Sequence, residues 1–228
     1  MTQRSSANTE KEAANASPSQ RPSTAATSLA SEVVAGTSGV SVEQYVAQLS
    51  DPKDATSQQA ARVLEELTTS KPELLAPHIE QLVSLLGSAR PRAVQTAAHS
   101  LPVLARVTPA KVAKQLKNMQ AAFPNASELA KDGLVRTFVA LCVASVTYQK
   151  RLIESFELAL RTADPTQLPA WVGHILPALK GEPYAQARAV AEQRVQDAAL
   201  PRPVAQQVAD LLGIKLRIER QLGHAENG

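Results

Sequence analysis

Aromatic residues are scarce, at 3% of 228 residues, with one Trp, three Phe and three Tyr. A core without many large rings has to be made from Ala, Leu and Val, small side chains that let helices approach one another closely. Glycine is also rare, at nine residues. No long stretch alternates apolar and polar residues as a half-buried strand would, so helix is the default assignment. A single cysteine, Cys142, excludes an internal disulfide and a cysteine-built zinc site. No run approaches the roughly 18 apolar residues that a membrane-spanning helix needs. The opening stretch MTQRSSANTEKEAANASPSQ has no apolar segment like a secretory signal, and Glu10 and Glu12 argue against an organellar transit peptide. A cytoplasmic location is therefore expected.

Catalytic signatures are missing too. There is no glycine-rich phosphate loop, no G-x-S-x-G and no H-E-x-x-H. His78, His99, His174 and His224 are scattered without metal-ligand spacing. Cys142 lies in FVALCVASV, where a thiol reads as a small core residue rather than a nucleophile. Trp171 falls on an apolar helical stripe and is expected to fill core. No cofactor is expected, and the chain is not expected to be an enzyme.

What is present divides into two regions. Residues 1–40 are rich in Ser, Thr, Ala, Gln and Asn, and Arg4, Lys11 and Arg21 cancel Glu10, Glu12 and Glu32. Such a segment buries too little apolar surface to offset the entropy of ordering it, so it is expected to be a disordered tail. A domain is expected over 41–222, with a short C-terminal tail at 223–228. Helices are predicted from Ser41 to the Asp51-Pro52 stop, then at about 55–69, 72–87, 91–106, 109–123, 127–147, 150–162, 166–179, 183–199 and 202–222. Pro72, Pro91, Pro109, Pro165 and Pro183 are placed in first turns, where a missing N–H costs nothing. GIKLRIER alternates Ile214, Leu216 and Ile218 with charges, yet without a partner strand it is assigned to the last helix.

One skeleton is written twice. QQAARVLEELTTSKPELL (58–75) and QTAAHSLPVLARVTPAKV (95–112) share Gln58/Gln95, Ala60/Ala97, Ala61/Ala98, Leu64/Leu101, Leu67/Leu104 and Pro72/Pro109. The shared positions are one helix's apolar face and the proline that opens the next helix. A lone helical hairpin cannot cover its own apolar stripe, so each pair must lean on its neighbour.

This pattern resembles the HEAT/armadillo-like class of α-solenoids. The stretch KPELLAPHIEQLVSLLGSARPRAVQTAAHSLPVLARV looks like a HEAT repeat: a first helix interrupted by Pro77, a tight turn, and Pro91-Arg92 leading into an Ala/Leu-rich second helix. The resemblance is best over 55–124 and looser over 41–212; a third copy would put proline where Val146 stands. It implies a short right-handed superhelix of about five helical hairpins.

Charge is distributed unevenly. Residues 41–86 carry a net −4, whereas 87–124 hold Arg90, Arg92, Arg106, Lys111, Lys114 and Lys117 with no acid. Lys111, Lys114 and Lys117 are placed opposite Val112, Leu116 and Met119, so they are expected to project into solvent together. These six are the candidate partner-binding residues. The expected function is a non-catalytic scaffold or adaptor that binds a protein partner, either an acidic surface or a larger complex, along one face of the array. The alternative is a nucleic-acid-binding HEAT-like protein gripping phosphates with the same block, although stacking aromatics are missing. A third possibility, an alkyl-purine glycosylase on HEAT-like repeats, lacks a matching aromatic cluster with a catalytic acid.

Overall fold

The computed structural model describes residues 24–216. Its helices are α1 (Thr24–Ala35), α2 (Val42–Gln48), α3 (Asp54–Ser70), α4 (Ile79–Leu85), α5 (Pro91–Val107), α6 (Pro109–Ala113), α7 (Leu116–Ala122), α8 (Glu128–Ala144), α9 (Thr147–Thr162), α10 (Leu168–Ala178), α11 (Gly181–Val195) and α12 (Arg202–Leu212). Short 3-10 segments occupy Pro72–His78 and Phe123–Asn125, and there is no strand among the described residues. The fold is all-α. None of these helices is long and apolar enough to cross a membrane.

Local chemistry sets the helix ends. Ser41 Oγ accepts from the Gln44 N–H while Gln44 Oε1 accepts from the Ser41 N–H, a reciprocal box that starts α2. Ser127 Oγ accepts from Ala130 N–H to start α8. Pro91, Pro109, Pro169 and Pro203 take early positions in α5, α6, α10 and α12. Pro165 instead precedes α10, in a turn where Asp164 Oδ1 accepts from the Thr166 N–H and hydroxyl. The interruption expected at Pro77 is present: the chain runs as 3-10 helix through His78 and becomes α-helical at Ile79. Proline has no N–H to give to the α ladder, so the break falls there. The helix expected at 109–123 is divided at Lys114–Gln115 into α6 and α7.

The helices pack in a regular order. α2, α4, α9 and α11 fold back against α3, α5, α10 and α12, and α6 lies against both α5 and α8. The second helices form their own layer, in which α3 packs on α5, α5 on α8, α8 on α10 and α10 on α12; α9 and α11 are neighbours in the other layer. One apolar core runs the whole way from Ala26 to Leu212. The repeated positions serve it as the skeleton requires: Ala60, Ala61, Leu64 and Leu67, and then Ala97, Ala98, Leu101 and Leu104, are all buried. Larger side chains fill the later half, where Phe138 meets Phe156 edge-on and Phe123 meets Trp171 at 6.3 Å. Complete burial of a side chain of this size stabilises by about 1.5–3 kcal/mol.

Two boundaries differ from the sequence expectation. The tail predicted to be disordered through Val40 contains α1, which lays Ala26 and Ala30 against the stack and packs on α3. Its apolar stripe is short, and the exposed side of α3 supplies the cover that the segment cannot supply for itself. Residues 1–23 lie outside the described residues. At the other end α12 stops at Leu212, not at residue 222, and Ile214 to Leu216 are not helical. Gly213 adopts φ 67°, a left-handed conformation open to glycine, and Ile214 N–H reaches back to Ala209 C=O. Gly36 ends α1 in the same way, at φ 71° with Thr37 N–H on Glu32 C=O. Residues 217–228, with the rest of the predicted last helix and the C-terminal tail, are outside the described residues.

Candidate functional site

The six cations singled out in the sequence fall into two groups. Arg90 and Arg92 stand at the start of α5; Arg106 lies in its last turn. Fourteen residues of helix separate Arg92 from Arg106, or about 21 Å at 1.5 Å per residue. Lys111 and Lys114 follow on α6 beside the Arg106 end, and Lys117 is a turn further along the return. Lys111, Lys114 and Lys117 are exposed, with Val112, Leu116 and Met119 buried on the other side, as the spacing predicted. None of the six takes part in an ion pair among the described residues, whose pairs involve Lys131, Arg136, Arg161, Arg188 and Arg194.

The stacking direction shows what lies beside Arg106. Gly133 of α8 is set against Ala98 of α5. Because α6 and α7 carry the chain back to the start of α8, the two helices run parallel. Between α8 and α10, Gln167 Nε2 donates to Glu128 C=O at 3.3 Å and Trp171 Nε1 donates to Asp132 Oδ1 at 3.1 Å. Both bonds span 39 residues, so α8 and α10 are parallel as well. The C-terminal ends of α5, α8 and α10 therefore lie along one edge of the molecule.

That edge has its own composition. Residues 104–117, 143–153 and 175–181, the three successive corners, contain Arg106, Lys111, Lys114, Lys117, Lys150, Arg151 and Lys180 and no acid; Glu154 and Glu182 are the first carboxylates after them. The opposite edge, where second helices begin, is mixed: Asp54, Glu128, Asp132, Asp164 and Asp197 lie there with Lys53, Arg90, Arg92, Lys131 and Arg202. Helix dipoles account for only part of this, since Asp54 and Glu128 sit in first turns and Arg106 and Lys111 in last turns, whereas Lys150 and Arg151 stand near the start of α9. Dipoles do not explain the valines. Val143 at 72% and Val146 at 63% are the most exposed large apolar side chains of the described residues, and Val107 is exposed as well, at 41%. All three sit on the cationic edge. Counting charge along the sequence missed this edge, because its corners are some 35 residues apart.

Other groups have settled roles. Cys142 is buried among apolar neighbours, which pushes its thiol up to about 12. Trp171 is fully buried, with its N–H satisfied by Asp132. His99 and His174 are exposed, and His78 Nδ1 is bonded to Gln81 Oε1 at 2.9 Å. Among the described residues no group of His, Cys, Asp and Glu is placed to hold a metal ion. An open cleft of about 660 Å³ between α9 and α11 is lined by Arg161, Val190, Gln193, Arg194, Gln196 and Asp197. Its two guanidiniums are neutralised, Arg161 by Glu157 at 2.9 Å and Arg194 by Asp197 at 2.6 Å, so the cleft offers an anion little net attraction.

No family model matches the chain, and no curated protein matches it. Among solved structures it is similar to the crystal structure of an engineered protein from the Northeast Structural Genomics Consortium, at 16% identity, covering 82% of this chain and 85% of that one with a TM-score of 0.55. That likeness is one of fold.

Proposed function

We propose that this chain is a non-catalytic scaffold or adaptor, an α-solenoid of the HEAT/armadillo-like class whose five helical hairpins stack as a short right-handed superhelix and bind a protein partner along an exposed face. The observation that carries this reading is the reach of its side-chain hydrogen bonds. Thr68 to Ser100, Gln120 to Arg151 and Ser155, Gln149 to Ala178 and Lys180, Trp171 to Asp132, and Arg194 to Ala163 join residues 29 to 39 apart. That is about one hairpin. Units that bond only to their neighbours are characteristic of solenoids, whose long surfaces serve recognition.

Chromatography of the tagged chain after nuclease treatment tests the proposal: a protein partner should co-elute in fixed proportion. Recovery of nucleic acid alone, lost on nuclease treatment, would favour the phosphate-gripping alternative. The separation of Arg90 and Arg92 from the other four cations counts against a duplex grip that uses all six. Charge reversal at Lys114 and Lys117 that abolishes duplex retention would restore it.

A further inference from the structure

Resting on that reading, we infer that the docking site is the edge where α5, α8 and α10 end, and that its occupant is an acidic protein segment carrying aliphatic side chains between its carboxylates. The valines take the aliphatic groups and the flanking cations take the carboxylates.

The geometry supports both halves. Val107 lies nine residues beyond Ala98, and Val143 lies ten beyond Gly133, the residue set against Ala98. In parallel helices these two valines stand at one level, with their axes about 8–10 Å apart. Val146 extends the same apolar strip around the corner into α9. Lys111 and Lys114 follow Val107 on the α6 return, and Lys150 and Arg151 follow Val146 on α9, the latter held over the Tyr148 ring at 5.9 Å. With helix axes about 8–10 Å apart, the fields of neighbouring corners are partly screened at physiological salt and reinforce one another more as salt is lowered. Carboxylates complement that field. Exposed valine side chains gain by covering, at about 25 cal/mol per Å² removed from water.

A phosphate backbone would satisfy the cations but bring nothing apolar to the valines. A membrane surface is met by amphipathic helices that present Trp, Phe or Leu, whereas this strip is valine and its aromatic neighbour Tyr148 is half-buried. An acidic-aliphatic peptide fits both features.

The test uses the full chain against a display library of peptides rich in Asp, Glu, Leu and Val, beside a matched library in which Lys and Arg replace the acids. The acidic library should enrich and the basic one should not. Enriched peptides should lose about tenfold in affinity for V143S/V146S, and again for K111E/K114E, with melting profiles unchanged because all four positions are exposed. K150E/R151E provides a second charge variant should either fail to fold. Equal binding of wild type and V143S/V146S would overturn the proposal. So would retention of phosphatidylserine vesicles or duplex DNA without enrichment of any acidic peptide. A protein ligand unaffected by every edge variant would place docking elsewhere, sinking this site while leaving the scaffold function intact; the absence of any protein ligand would sink both.

Discussion

Gly133 of α8 approaches Ala98 of α5 so closely that a Cβ built on the glycine would lie 2.5 Å from the Ala98 Cβ and 2.6 Å from its Cα. Non-bonded carbons do not come that close, so only the missing Cβ lets the two helix backbones approach to this distance. The contact fixes the level at which the two halves of the stack meet. It also aligns Val107 with Val143 on the candidate edge.

Replacing this glycine should force α5 and α8 apart. Gly133→Ala is expected to destabilise by about 1–3 kcal/mol, the usual cost of overpacking, and to lower Tm by about 2–4 °C per kcal/mol. Gly173 in α10 is the control, because nothing lies within 4 Å of its missing Cβ. Gly173→Ala should stabilise by about 0.5–1 kcal/mol through helix propensity. Equal effects at the two positions in thermal melts would contradict the close approach.

Gln149 is a second joint. It is buried at 2% exposure, donates Nε2 to Ala178 C=O at 2.9 Å and accepts from Lys180 N–H at 3.1 Å, so it closes the end of α10 from α9. Gln149→Ala strands both backbone groups and is expected to cost about 1–3 kcal/mol. Amide exchange should quicken at Lys180. Denaturant unfolding together with exchange at that amide checks it, and unchanged protection would show that the bond is idle.

Cys142 makes stability depend on pH in the alkaline range. Burial raises its thiol from 9.0 to about 12 in the folded chain. Between those values the unfolded chain has lost its proton and the folded chain still holds it. The contribution is therefore complete below about pH 9 and is lost as pH climbs toward 12. Cys142→Ala should flatten that decline in melts taken from pH 8 to 11. The native thiol should also react slowly with a disulfide reagent at pH 8 and rapidly once unfolded.

Much of the core was legible because its signal is local. The Ala/Leu skeleton placed the buried faces of α3 and α5, and Lys111, Lys114 and Lys117 fell on the exposed side of their turn as spacing required. α1 was missed because composition averaged over forty residues hid a twelve-residue stripe whose cover comes from α3. The close approach at Gly133 had no signal of its own, since a helical glycine reads as a weak point until a neighbour's backbone is seen against it. The edge was illegible for a different reason: Val107, Val146 and Lys180 are each some 35 residues apart and become neighbours only through stacking.

The account stands on units that depend only on adjacent units, and hydrogen exchange of the full chain with one end damaged tests that most directly. Val208 is fully buried in α12, and Val208→Asp should unfold the last pair. The prediction is loss of amide protection confined to α11 and α12, with α3 and α5 protected as in the wild type. A uniform loss from α3 through α12 would reveal one indivisible core and contradict the account.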